Sequence, residues 1–352
     1  MYKRWALASL AVLAALLLGT AAVTFAVDPF QNYRAAAWFT PLYDNGMQPY
    51  FNAGLARHFD YDTPILGTSM TENFRPSLVD EVFGGQSIKL PFEGGMAANH
   101  AQVLSLAFTT HDVRRVIYGL DMYSFVRDPA YSAFTMPAYL YDQDPFNDVS
   151  YLLNGEVIFH QLPSTLLHNW REPGKLRATR DSMYAWKSDV VYSAATTLSS
   201  YDFSQPALGM QPADVYADNV MANFERFVQP YLQAHPDTEF LFFFPPYSAL
   251  QWYMMQQNGH LDFVLNTKEQ LTELLLAYPN VHLYDFTARL DWIDNLDLYT
   301  DYAHYTPTLN DEITRCLADE ALRVRDIYDV YEANDTLAQV AAAFPVPQPK
   351  EE

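Results

Sequence analysis

Residues 63–72 read Thr63-Pro64-Ile65-Leu66-Gly67-Thr68-Ser69-Met70-Thr71-Glu72. Thr63 to Gly67 is a short apolar run of strand length that stops at a glycine, and a serine follows where a helix would begin. In open α/β sheets ligands bind beyond the carboxyl ends of the strands, so Ser69 stands where a substrate would sit. The backbone N–H groups around it can face developing negative charge. Read alone, the same serine is equally an ordinary helix N-cap.

Working outward, four more runs have strand character: Gln86 to Leu90, Val113 to Leu120, Glu239 to Phe244 and Val281 to Phe286. Val116-Ile117-Tyr118 and Phe240-Leu241-Phe242-Phe243-Phe244 are apolar without alternation, as strands covered on both faces must be. Longer stretches of helical period separate them. Val220, Phe224, Phe227, Val228 and Tyr231 recur at helical spacing. Lys268 to Ala277 reads as another helix, with Thr267 as its cap and Gln270 completing a capping box. The alternation predicts an α/β fold, a parallel sheet between helical layers.

The interval 128–211 is irregular, rich in Tyr, Pro, Asp and Ser, and too long for an ordinary connection. It reads as an insertion within an α/β domain spanning 28–340. Its aromatics, Tyr131, Tyr139, Tyr141, Tyr151 and Trp170, either stack on sugar rings or pack a satellite core. From Phe344 the Pro-rich end, within 341–352, reads as a flexible tail.

At the other end, Lys3 and Arg4 precede Trp5 to Val27, a stretch without a charge, closed by Asp28. Roughly 20 such residues cross a bilayer. Residues 1–27 therefore read as a signal anchor, a single transmembrane helix that leaves the domain outside the cytoplasm at the cell membrane. The alternative is a cleaved signal, with Leu7 to Leu18 as its apolar region and Thr24-Phe25-Ala26 as the cleavage site. Both readings export the protein.

The formal net charge of the 352 residues is −21. Such a chain repels phosphate backbones, which excludes nucleic acid as a favoured partner. The single cysteine, Cys316, rules out an intrachain disulfide and, lying in a helix-like stretch, reads as an inert buried thiol. Half the residues are hydrophobic, enough for a core. The histidines show no metal-ligand spacing, and no P-loop or G-x-G-x-x-G is present, so neither a metal nor a cofactor is expected. Asp142, Asp144, Asn147 and Asp148 lack the spacing of a calcium loop.

After the last strand comes Tyr299-Thr300-Asp301-Tyr302-Ala303-His304-Tyr305. A serine hydroxyl becomes a nucleophile when an imidazole takes its proton, and the imidazole needs a carboxylate to fix its tautomer. Asp301, three residues before His304, can serve its Nδ1 side and leave Nε2 for Ser69. A lone D-x-x-H is a weak pattern; its conjunction with the Gly-x-Ser after the first strand is the specific signal.

That conjunction resembles the SGNH/GDSL hydrolases, over roughly 60–325. The resemblance implies a three-layer α/β/α sandwich with a five-stranded parallel sheet and a catalytic triad of Ser69, His304 and Asp301. It also implies an oxyanion hole built from the backbone of Ser69 and of Gly94 or Gly95, with Thr68, Met70, Asp121 and Tyr305 lining the site. One position departs: where the family commonly offers an asparagine after the third strand, this chain has Asp121, and an ionised carboxylate cannot donate a hydrogen bond. Asp121 must be protonated, turned away or bound to another group.

With that departure and the anchor, the chain resembles surface members that modify cell-wall polymers beside a membrane-bound acyltransferase, acetylating exopolysaccharide or attaching D-alanine to teichoic acid. The implied activity is that of an extracytoplasmic serine esterase or O-acyltransferase acting on an acylated carbohydrate or cell-wall polymer. The alternative is a non-catalytic module that binds a glycan or protein partner on the same scaffold.

Overall fold

The computed structural model describes residues 2–172, 178–186 and 188–347. Five strands, β1 (Thr63–Leu66), β2 (Ser87–Lys89), β3 (Arg115–Gly119), β4 (Glu239–Phe244) and β5 (Val281–Asp285), pair in parallel in the order β2-β1-β3-β4-β5. The strand expectations hold to within a residue or two at each end. In β4, Phe240 to Phe244 are buried throughout, because helices flank the sheet and leave no wet face. The helices Gln48–His58, Ala97–Thr110, Ala217–Phe227 and Leu261–Leu276 pack in succession, while Pro76–Phe83 and Pro307–Cys316 pair separately.

The strand order reverses beside β1. The chain leaves β1 for the edge strand β2, then crosses back to β3, so the loops after β1 and β3 diverge and leave a crevice at their carboxyl ends. Ser69 follows β1 and Asp121 follows β3, one on each side of that crevice.

Several local expectations need correction. The helix expected through Tyr231 is two, Ala217–Phe227 and Gln229–Ala234, because Pro230 cannot supply the N–H that would continue the first. Thr267 does not cap a helix. Leu261–Leu276 starts seven residues before the expected first residue Lys268, where Leu261 and Val264 already face the core, and the Thr267 hydroxyl donates to the Phe263 carbonyl one turn back at 2.8 Å. Nor does a loose tail begin at 341: Ile327–Ala343 is helical, and Phe344 is buried with its ring stacked on Tyr253 at 5.0 Å. Residues 348–352 lie outside the described part. Cys316 is partly buried rather than enclosed, and burial raises its thiol above its ordinary pKa.

The helix Tyr2–Val27 is 26 residues long. At 1.5 Å per residue it spans about 39 Å, enough to cross a bilayer. Its length and composition equally suit a signal sequence.

Candidate active site

The strand β1 must turn sharply to deliver Ser69. Gly67 makes the turn with φ +147°, and a Cβ on it would lie 2.6 Å from Thr71 Cγ2, so only glycine fits. Thr68 then caps a short helical turn, Ser69–Thr71, its hydroxyl accepting from the Met70 N–H and its carbonyl accepting from the Thr71 hydroxyl at 3.0 Å. Beneath the turn, His100 is fully buried. Its Nε2 is 3.0 Å from the Gly67 carbonyl and its Nδ1 2.7 Å from the Tyr118 hydroxyl. Burial lowers its pKa to about 4, so the neutral ring donates to Gly67 and accepts from Tyr118.

The opposing loop presents His304. Its Nε2 lies 2.8 Å from Ser69 Oγ, across 235 positions of sequence, and its Nδ1 lies 2.7 Å from Asp301 Oδ2. The second carboxylate oxygen of Asp301 accepts from the backbone N–H groups of Ala303 and His304, both at 2.8 Å, which closes the loop around the carboxylate. Burial alone would raise Asp301; the hydrogen bonds and the adjacent imidazole outweigh it and hold the carboxyl below its usual pKa. The loop is tied to the serine turn by Tyr305 and Asn310, which both donate to the Met70 carbonyl, at 3.1 and 2.9 Å. Side chains of His304 and Asp301 keep about 30% of their exposure, so the relay meets solvent.

A cleft of about 410 Å³ opens beside the relay, lined by Ser69, Met70, Asp121, Tyr247, Gln251 and His304 among others. Asp121 accepts from the Tyr123 N–H at 3.0 Å and faces the Tyr247 hydroxyl. Burial raises its pKa, opposed by those contacts and by His304. Of the earlier possibilities for Asp121, the structure selects a bound one: it caps the turn after β3 while staying in the cleft wall. The Oε1 of Gln251, a residue 6% exposed, has no hydrogen-bond partner among the described residues.

Neither Gly94 nor Gly95 is part of that wall. The Gly95 N–H closes a turn onto the Phe92 carbonyl at 2.8 Å, so it is engaged, and Gly94 is exposed with φ +63°. The Ser69 N–H makes no backbone hydrogen bond among the described residues.

Among the insertion aromatics, Tyr139, Tyr141 and Tyr151 pack on the main core, and none of the five lines the cleft. The insertion reaches the site through a residue the sequence pattern did not single out. The Trp186 ring sits 4.8 Å from the His304 ring, and its indole N–H donates to Glu72 at 2.6 Å. Glu72 is buried, also accepts from the Gln48 amide at 2.6 Å, and burial pushes its pKa up to about 7. Its own carbonyl accepts from buried Lys89, whose pKa burial lowers to about 7. A tryptophan in an aromatic-rich loop carries no sequence signal for this role.

No family model matches the chain, and no curated protein sequence matches it. A solved structure provisionally described as a platelet activating factor from Streptococcus pneumonia is similar with a TM-score of 0.42 and 13% identity, over 78% of this chain and 90% of that one. The arrangement on the page is a hydrogen-bonded Ser–His–Asp chain at the switch point of a parallel α/β sheet.

Proposed function

We infer that this chain is a serine hydrolase or acyltransferase of the SGNH/GDSL type, with Ser69 as nucleophile, His304 as general base and Asp301 as its orienting carboxylate. The observation that carries the reading is the continuous relay from Ser69 Oγ through His304 to Asp301, with bonds of 2.8 and 2.7 Å. In the reaction His304 Nε2 takes the Ser69 proton as Oγ attacks an acyl carbonyl; the ring's new positive charge is held against Asp301. The tetrahedral oxyanion meets the Ser69 N–H, and collapse expels the leaving alcohol, which takes its proton back from His304. Water, or a hydroxyl of a second molecule, then discharges the acyl-serine.

We place the domain outside the cytoplasm, on the retained N-terminal helix, acting on an acylated carbohydrate or cell-wall polymer, in concert with a membrane-bound acyltransferase. The acidic chain and the cleft's carboxylate support a substrate that is not densely anionic near the reacting bond. A second reading, a glycan- or partner-binding module, is favoured by the engaged Gly95 N–H and by Asp121, which together leave the oxyanion site short of donors. A fluorophosphonate probe separates the two. Covalent labelling of the full chain that disappears in Ser69→Ala is the expected result; an unlabelled folded protein would replace the enzyme reading with the binding module.

A further inference from the structure

The chain 157–171 runs as one helical rod, a π-helical turn Val157–Gln161 followed by the α-helix Leu162–Arg171. Its inner side is conventional: Val157, Leu162 and Thr165 are buried against the domain. The outer side is not. Phe159, Pro163, Leu166, Leu167 and Trp170 fall at i, i+4, i+7, i+8 and i+11, a single stripe, and every one is exposed. Phe159 and Trp170 are each 75% exposed, an expensive way to present aromatic rings to water.

The position of this rod identifies what covers the stripe. Its π-helical turn, Val157–Gln161, packs against the apolar helix Tyr2–Val27, whose carboxyl end is built into the domain rather than tethered to it. Thr24 and Val27 are buried. Asp28, with φ +51°, accepts from the N–H groups of Asn32, Tyr33 and Arg34 and from the buried Tyr151 hydroxyl at 2.8 Å. The following segment is clipped to the rod: Asn169 accepts from the Thr40 N–H at 2.7 Å and donates to the Thr40 carbonyl at 3.0 Å. Trp38, two residues before that clip, is 60% exposed. Arg34 folds back onto the carbonyls of Phe25 and Ala26 at the end of the apolar helix.

We propose that the outer face of the rod 157–171, together with Trp38, lies in the headgroup and upper acyl region of the bilayer that the Tyr2–Val27 helix crosses. Tryptophans at the mouth of a span, an arginine at its end and an amphipathic helix packed against it are the elements of an interfacial seat. Tyr2–Val27 fixes the domain's distance from the bilayer, and the rod fixes its tilt, so the relay is held in one orientation above the membrane instead of swinging on a flexible stalk.

The test uses the full chain in nanodiscs of phosphatidylcholine, with Trp5→Phe to remove the tryptophan inside the span. Emission is compared between plain lipid and lipid brominated in the upper acyl chain. Bromine is expected to quench the protein, and Trp38→Phe combined with Trp170→Phe should remove at least half of that loss. Absence of quenching, or a loss reduced by less than half, overturns the proposal. If the stripe instead serves a protein partner, Trp38 and Trp170 stay in water in these partner-free discs and bromine leaves them bright, which is the overturning result.

Discussion

Replacing Asp301 with asparagine tests the relay without disturbing its frame. The Oδ1 of Asp301 holds the loop through the N–H groups of Ala303 and His304, and an asparagine carbonyl can accept both. Its Oδ2, 2.7 Å from His304 Nδ1, would become an amide N–H₂, a donor facing a position that must itself be protonated. The imidazole relieves the clash by moving its proton to Nε2. That nitrogen then points a hydrogen at Ser69 Oγ and can no longer take the hydroxyl proton. Such a tautomer trap costs about 10⁴-fold in turnover, or about 5.5 kcal/mol of transition-state stabilisation. The second-order rate of fluorophosphonate labelling should fall by that order in Asp301→Asn, while the thermal midpoint stays within a few degrees of the parent. A variant that labels within tenfold of the parent would remove Asp301 from the orienting role.

Glu72→Gln addresses the buried carboxyl behind the site. Because burial raises Glu72 from 4.5 to about 7, folding favours its protonated form. Its contribution to stability is full below about pH 4.5 and disappears as pH rises through 7, a change of about 3 kcal/mol for 2.5 units. Unfolding midpoints measured from pH 4.5 to 8 should therefore decline more steeply in the parent than in Glu72→Gln. The Glu72 charge also raises the neighbouring Lys89, so the difference between the two curves reports the coupled Glu72–Lys89 pair; parallel curves would refute a role for Glu72. Trp186→Phe keeps a ring against His304 but strips the indole N–H from Glu72. It should lower stability by about 1–3 kcal/mol and slow probe labelling several-fold; unchanged labelling and stability would show that the insertion does not support the site.

The parts of this site that the sequence disclosed are those whose chemistry is local. A glycine forced by φ +147° announces the turn before Ser69, and Asp301 and His304 are close enough along the chain for their pairing to be imagined without a fold. The sheet was equally legible, because strands buried on both faces must be apolar without alternation, and β4 is. What could not be read depends on contacts made across the chain. Gln48, Glu72 and Trp186 meet over 24 and 114 positions, and none carries a periodicity or motif of its own. Thr267 misled for a related reason: its cap chemistry was genuine locally, but burial of Leu261 and Val264 made the helix start earlier, and the hydroxyl found a carbonyl one turn back. His100 joins both lessons. Spacing marked it as an unremarkable histidine, yet its burial under Gly67 makes it the neutral post on which the Ser69 turn rests. Motifs thus point to the candidate reacting groups, whereas the groups that hold them in place are specified by packing, and a serine two residues beyond Gly67 meets its imidazole only where both agree.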